Sequence, residues 1–293
     1  MNELPSTASV VIIGGGVMGA STAYHLAKRG VKDVVLLEKE SFFGMGATGR
    51  CAGGIRYQFA TEVNIRLSIH SLQMLDDLEA ETGQPALVRK CGYLLITNGE
   101  SDLEVFKRNV ALQNSLGVMT QLLSGDDVRK MIPLCHFPDA ITGTFHPKDG
   151  LADPNSVVMA YINAARRLGA KCLTDVDVTG IEVSGGKVRG VKTAQGTVAA
   201  ETVVDAAGPW SALIGKMAGV DIPLVPIRRQ WLTTTPLPEV PPDFPFVIDF
   251  PQSLYFHREG EGLLTGMSNP NEKIGYDQSV DEEWELAHME AAV

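Results

Sequence analysis

Residues 9–38 read SVVIIGGGVMGASTAYHLAKRGVKDVVLLE, and the order of residue types in them decides the fold. Ser9 to Ile13 is a short β-branched run, broken by Gly14, Gly15 and Gly16. Val17 to Arg29 then has helix-compatible composition and closes at Gly30, a natural C-cap. Val34 to Leu37 returns as an apolar, β-prone segment. Strand, glycine turn, helix and strand make a βαβ unit whose parallel sheet is buried on both faces. The glycines fall as Gly14-x-Gly16-x-x-Gly19. In that pattern Gly14 makes the turn, Gly16 lets backbone approach a pyrophosphate, and Gly19 lets the helix pack on the sheet. The helix N-terminus faces the phosphates with unpaired N–H groups and partial positive charge. Glu38 ends the next strand, where a carboxylate can accept hydrogen bonds from a ribose diol. The alternative is a glycine-rich core turn that binds nothing. It does not explain why strand, turn, helix, strand and acid all fall in register.

The chain has 293 residues, with 25 Lys plus Arg against 35 Asp plus Glu, a formal charge of −10 and 44% hydrophobic residues. Disorder, collagen and coiled coil are excluded, and the length suits one large or two ordinary domains. The acidic balance disfavours nucleic acid and anionic lipid, and the basic pairs Arg166-Arg167 and Arg228-Arg229 are isolated. Cys51, Cys91, Cys135 and Cys172 show no C-x-x-C and no His at ligand spacing, so no metal site or disulfide framework is expected, and a reducing cytoplasm fits. Ala8 to Ala27 is apolar enough to suggest a membrane helix or signal sequence. Both are rejected, because Met1 to Thr7 carries Glu3 and no Lys or Arg, and the three glycines suit a tight turn instead.

A second glycine-rich stretch, Gly44 to Gly54, follows Glu38, so backbone must again pass close to something. Apolar spacing predicts one amphipathic helix over Glu62 to Glu81, ended near Gly83. Cys91 to Thr97 reads as a strand, Asp102 to Leu116 as a helix, and Ser124 to Asp127 as the cap of a short helix stopping before Pro133. Ile141 to His146 reads as a strand, and Asp153-Pro154 opens a helix to Leu168. Lys171 to Thr174 and Val178 to Ala200 read as a meander with tight turns. Thr202 to Asp205 returns as a parallel strand, and Trp210 to Ala218 is helical. Strands with proline-rich connections follow Ile222, among them Ser253 to His257 and Gly262 to Gly266, before a helix over Glu282 to Ala292. The expected class is α/β: a discontinuous Rossmann-like domain from residues 1–82 and 147–221, and a β-rich α+β substrate domain from 83–146 and 222–293.

The fingerprint alone does not separate NAD from FAD, but a nicotinamide dehydrogenase would normally proceed from Glu38 to another βαβ crossover. Together the Gly14 motif, Glu38, Gly46-Ala47-Thr48-Gly49-Arg50, Gly54-Ile55-Arg56-Tyr57-Gln58-Phe59 and Val203 to Ser211 resemble the D-amino-acid oxidase superfamily of flavoenzymes. Within it the chain is most similar to sarcosine oxidase β subunits and the β subunit of L-proline dehydrogenase. Gly92-Tyr93-Leu94 and Asp149-Gly150-x-Ala152-Asp153-Pro154 add to that resemblance. It implies FAD, with Gly14, Gly16 and Gly19 on the pyrophosphate, Glu38 on the adenosine ribose and Lys39 counted beside it. Thr48, Gly49 and Arg50 then line the crossing toward the ring, and Ala207-Gly208 closes over the flavin side. Val178 either offers its backbone to adenine or is an ordinary strand residue.

The resemblance further implies oxidation of a C–N bond, with hydride passing from the carbon beside a neutral amine to flavin N5 and the imine hydrolysing later. An amino-acid carboxylate needs a permanent, bidentate cation. Arg56 is favoured over Arg50, which sits nearer the phosphate path; the plain alternative for Arg56 is a surface charge at a helix start. Tyr255 and His257 either face substrate or belong to a half-buried edge strand. Expected partners are a small amino acid of the sarcosine, dimethylglycine or L-proline class and an electron-accepting subunit.

Three departures qualify the resemblance. Oxidase members carry a lysine where Gly262-Leu263-Leu264-Thr265-Gly266 has Leu264, which favours a dehydrogenase over direct reaction with oxygen. Heterotetrameric sarcosine oxidases hold a second, covalent flavin through a His near the segment matching Gly150; this chain shows Asp153-Pro154-Asn155 there without that His, so no such linkage is expected. Family members continue beyond the point matching Val293, so the expectation is a fragment or a pocket wall supplied from elsewhere. The rival readings are a non-catalytic assembly protein that keeps the flavin fold, a D-amino-acid or glycine oxidase, and an NAD-dependent dehydrogenase.

Overall fold

The computed structural model describes residues 3–292. Its first sheet has four parallel strands in the order Thr202–Asp205, Val10–Ile13, Val34–Leu37 and Lys171–Leu173. Successive side chains of a strand point to opposite faces, and here both faces are covered. Ile12, Val34 and Leu36 pack with the helices Val17–Lys28 and Pro154–Arg167. Val11, Ile13, Val35 and Leu37 pack with Val178, Val191, Val198 and Ile214. The latter come from the antiparallel meander Val178–Ser184, Lys187–Thr193, Gly196–Ala199 and from the helix Ser211–Met217. Each fully buried Val, Leu or Ile contributes roughly 1.5–3 kcal/mol, so this two-sided burial fixes the register of the strand ends from which the candidate site is built.

Lys171–Leu173 departs from expectation. It is the edge strand of the parallel sheet, not the start of the meander. The helix Pro154–Arg167 carries the chain back over the sheet, and a returning crossover of this kind delivers its strand parallel to the others.

The second large sheet has seven strands, in the order Gln230–Thr233, Gly262–Met267, Leu254–Glu259, Phe246–Asp249, Tyr93–Thr97, Thr142–His146 and Gln121–Ser124. Only the pairing of Phe246–Asp249 with Tyr93–Thr97 is parallel. A small sheet of Gly54–Ile55, Gly150–Ala152 and Val88–Arg89 lies between the two larger ones in the chain path. The helix expected over Glu62 to Glu81 is broken into Glu62–Asp76 and Leu78–Thr82. Gln73 Nε2 donates to the Asp77 carboxylate at the break, and Leu78 is re-aimed into the core beside Tyr161. The short helix Gly125–Met131 starts on a capping box between Ser124 and Asp127, and Asp153 accepts from Ser156 N at 2.6 Å to start its helix. Among the described residues no helix is long and apolar enough to cross a membrane, and no cluster of His, Cys, Asp and Glu could hold a metal ion.

Candidate functional site

A cavity of about 310 Å³ opens at the C-terminal ends of the parallel strands, the position at which open α/β sheets bind ligands. Gly14 crosses there with φ 108°, and a Cβ on it would lie 2.4 Å from the Ala206 carbonyl oxygen. Gly16 has ordinary backbone (φ −75°) and leads the helix Val17–Lys28 without a side-chain cap of its own. Thr48 supplies the cap from across the cavity, its Oγ1 accepting from Val17 N at 3.1 Å. The first turn of that helix carries no acidic residue, so its positive end is not neutralised where it meets the cavity.

Glu38 is 9% exposed and lines the cavity. Its Oε2 accepts from Gly15 N at 2.6 Å and its Oε1 from Glu40 N at 2.9 Å. Two backbone donors thus orient a carboxylate that keeps lone pairs for a diol. Lys39 places Nζ 3.7 Å from the centroid of a Trp210 ring, a cation–π contact on the cavity wall. Arg50, Val178, Ala207 and Gly208 also line the cavity. Asp205 braces the turn that carries the last two, Oδ1 accepting from Ala207 N at 3.0 Å and from Ser211 Oγ at 2.9 Å. A glycine helix start open to the cavity, an unneutralised helix end and an oriented carboxylate fit a dinucleotide.

Two expected contacts do not face this cavity. A Cβ on Gly19 would lie 1.9 Å from the Gly14 carbonyl oxygen, so Gly19 serves helix-to-turn packing. Gly49 donates to Gly44 O at 2.7 Å, and its own Cβ would lie 2.4 Å from that oxygen. It tightens the second glycine loop and lets Thr48 and Arg50 line the wall. Sequence reasoning missed Trp210 and Gln278 as lining residues. Trp210 stands two residues past Gly208, within the stretch Val203 to Ser211 that carries the resemblance, and could have been included; nothing local marks Gln278.

A second cavity, about 370 Å³, holds Arg56 together with Gly54, Phe59 and Tyr93. The Arg56 guanidinium lies 4.8 Å from the Phe59 centroid and 5.9 Å from that of Tyr93. Among the described residues it makes no ion pair. The segment bearing it is tied to the larger sheet by buried Asp149, which accepts from Tyr57 N at 2.8 Å and Gln58 Nε2 at 3.0 Å, and pairs with His146 Nδ1 at 2.9 Å.

From Tyr93 a ladder of rings crosses the sheet: Tyr93 on Phe246 at 4.2 Å, then Phe246 on His257 at 4.9 Å and on Tyr255 at 5.7 Å. Gly54 and Gly266 make room for it, since a Cβ at either would lie 1.7 Å from Tyr93 Oη or 2.1 Å from Tyr255 Cζ. Tyr255 is half-buried, and burial pushes its phenol pKa up, so it stays a hydrogen-bond donor at neutral pH. His257, expected either to face substrate or to belong to a half-buried edge strand, is 1% exposed and lines neither cavity, in a strand paired on both sides. Strand alternation puts it on the face of Tyr255, but Phe246 covers it. Tyr255 also lines neither cavity, so it and Arg56, which lines the second cavity, are linked only through the ring ladder.

Burial lowers the pKa of His257, and likewise of His25 and His288, below the ordinary 6.5. A depressed folded-state pKa means that the unfolded chain takes up protons first. Stability is then full above about pH 6.5 and is lost as pH falls through the folded values, by up to about 1.4 kcal/mol per unit for each histidine. Denaturant melts of wild type and His257→Gln across pH 5–8 should show a shallower acid loss in the variant; equal slopes would remove His257 from this account.

Known proteins resemble the chain along nearly its full length. Rat mitochondrial dimethylglycine dehydrogenase is 34% identical over 93% of this chain and 32% of its own length. Human mitochondrial sarcosine dehydrogenase is 33% identical over 99% of this chain and 33% of its own. The chain thus spans about a third of the length of these curated relatives. The crystal structure of L-proline dehydrogenase from P. horikoshii superposes with a TM-score of 0.90 at 32% identity, covering 98% of this chain and 76% of that one. Residues 9–293 match the family described as FAD dependent oxidoreductase, and with the glycine turn, the oriented Glu38 and the parallel sheet in place the chain belongs to that family.

Proposed function

We propose that this chain binds FAD at the cavity on the parallel sheet and oxidises the C–N bond of a small secondary or N-methylated amino acid. The observation that carries the substrate class is Arg56, a half-buried guanidinium with no anionic partner among the described residues, beside aromatic walls. The names of the related enzymes, which act on dimethylglycine, sarcosine and L-proline, support it. In this reading the domains are residues 1–82 with 147–221 for the cofactor and 83–146 with 222–293 for the substrate.

When bound, FAD supplies a two-electron acceptor. The chain's own groups do the rest. Gly14 and Gly16 leave room for the pyrophosphate at the positive end of the helix that starts at Val17, and Glu38 receives the ribose diol. Arg56 holds the substrate carboxylate in a fixed fork. Tyr255 donates a hydrogen bond from a phenol kept protonated by burial, and the rings of Tyr93 and Phe246 exclude water from the amine. Leu264 is buried and apolar where oxidases carry a lysine, so the reading is a dehydrogenase that hands electrons to an accepting subunit. Four free cysteines suit a reducing compartment such as the cytoplasm.

Anaerobic mixing of the purified holoprotein with sarcosine, dimethylglycine and L-proline tests this. Flavin absorbance should bleach with at least one of them, and Arg56→Gln should raise KM about 100-fold with FAD retained. A flavin that no amine reduces would sink the proposal and leave the non-catalytic flavin-fold reading.

A further inference from the structure

Residues 268–281 join the strand Gly262–Met267 to the helix Glu282–Ala292 without a strand or helix of their own. This segment is nonetheless fastened at several points. Arg228 is its anchor: the guanidinium, only 14% exposed, forks onto Glu272 at 3.1 and 3.2 Å. The same group reaches Asp277 at 3.1 Å, Ser279 O at 2.6 Å and Asp281 at 3.6 Å. Gly275 N donates to Pro226 O at 3.0 Å, and Gln230 bonds the backbone of Asp281. One cation thus bridges three carboxylates that would otherwise repel each other, so its removal should release the segment instead of leaving it nearly in place.

What the segment holds is the rim of the nucleotide cavity. Tyr276 stacks on Trp210 with ring centroids 6.0 Å apart and planes 14° apart, and Lys39 contacts a Trp210 ring in turn. Gln278 lines the cavity and accepts from Arg50, another lining residue. Two bars, Lys39–Trp210–Tyr276 and Arg50–Gln278, therefore tie the segment to the cavity wall. We propose that residues 268–281 form a strap closing the outer rim of the dinucleotide cavity, with Arg228 as its positioning residue, so that Arg228 sets cofactor retention without touching the cofactor. The inference rests on the dinucleotide reading of that cavity and adds to it a control of release.

Two measurements on the full chain test it. In the first, FAD release from holoprotein is followed by the rise in free-flavin fluorescence after dilution. Arg228→Gln and Tyr276→Ala should each release FAD at least about tenfold faster than wild type, and Arg228→Lys should restore part of the difference. In the second, trypsin is applied to the FAD-free chain, where cleavage after Lys273 should be faster in Arg228→Gln. Wild type that retains no FAD would defeat the dinucleotide reading and the strap with it. Retained FAD with unchanged release in Arg228→Gln and Tyr276→Ala would overturn the strap alone, whether or not trypsin cuts faster. Should Arg228→Gln fail to fold, Tyr276→Ala decides, because Tyr276 is exposed and its loss removes only the stack: unchanged release overturns the strap.

Discussion

Gly19→Val is expected to lose both its cofactor and a large part of its stability, whereas Gly16→Val should lose the cofactor and keep its fold. A Cβ on Gly19 would sit 1.9 Å from the Gly14 carbonyl oxygen and 3.1 Å from the carbonyl carbon. Both are backbone atoms of the turn, held by Gly14 N donating to Leu37 O at 2.9 Å, so they cannot step aside. The helix Val17–Lys28 must lift instead, and with it Ala20, Ala23, Tyr24 and Ala27, all buried in the core against the parallel sheet and the helix Pro154–Arg167. Overpacking of this kind costs about 1–3 kcal/mol or more, roughly 2–5 °C or more in Tm for a chain this size. Gly16 differs in both respects. Its φ of −75° suits any residue, and the nearest atom to its Cβ is Thr48 Oγ1, 3.0 Å away. Valine there pushes a hydroxyl and fills space in the cavity, so FAD affinity should fall about 100-fold, near 2.7 kcal/mol, with the melting temperature of the FAD-free chain almost unchanged. Thermal melts of the cofactor-free variants and flavin titrations separate the two; equal stability losses would mean that the two glycines do not divide the work this way.

The part of the molecule that was legible in the sequence is the part built from contiguous residues. From Val10 to Leu37 the strand, turn, helix and strand follow from local composition, and Gly14, Gly16 and Glu38 reach the cavity because they end or leave parallel strands. Lys39, Thr48 and Arg50, like Val178 and Ala207-Gly208, were reached only through family resemblance. The rest depends on segments far apart in the chain. Arg228 and Glu272 meet across 44 residues and Arg50 and Gln278 across 228, and no local pattern announces either pair. Alternation shows that Tyr255 and His257 share a face, but not that Phe246 would cover His257. The edge strand Gln121–Ser124 is mostly exposed and so lacks the apolar run by which buried strands are read. The break at Asp77 leaves the apolar spacing intact on both sides, so a single helix was the natural expectation.

Asp149→Ala should be among the most damaging single changes, and its damage should fall on substrate handling before cofactor binding. Asp149 has no exposed surface. Its two oxygens serve three donors, Tyr57 N, Gln58 Nε2 and the His146 ring. Gln58 in turn donates to Tyr93 O and accepts from Thr144 Oγ1. Alanine would leave these donors unpaired in a site without water access, at a cost of about 3–5 kcal/mol. Asn keeps one acceptor but sets its NH₂ against another donor, so Asp149→Asn should recover only part of the loss. Asp149 lines neither cavity; what it holds is the stretch Arg56–Gln58 against the strands Tyr93–Thr97 and Thr142–His146. Freed from that anchor, Arg56 keeps its charge but loses its place over Phe59 and Tyr93. Asp149→Asn should therefore retain FAD at near wild-type affinity while its KM for a reducing amino acid rises toward that of Arg56→Gln. Combining the two substitutions should add little to KM, because both remove the same oriented guanidinium. A double variant whose KM loss is the product of the single losses would show that Asp149 and Arg56 act independently.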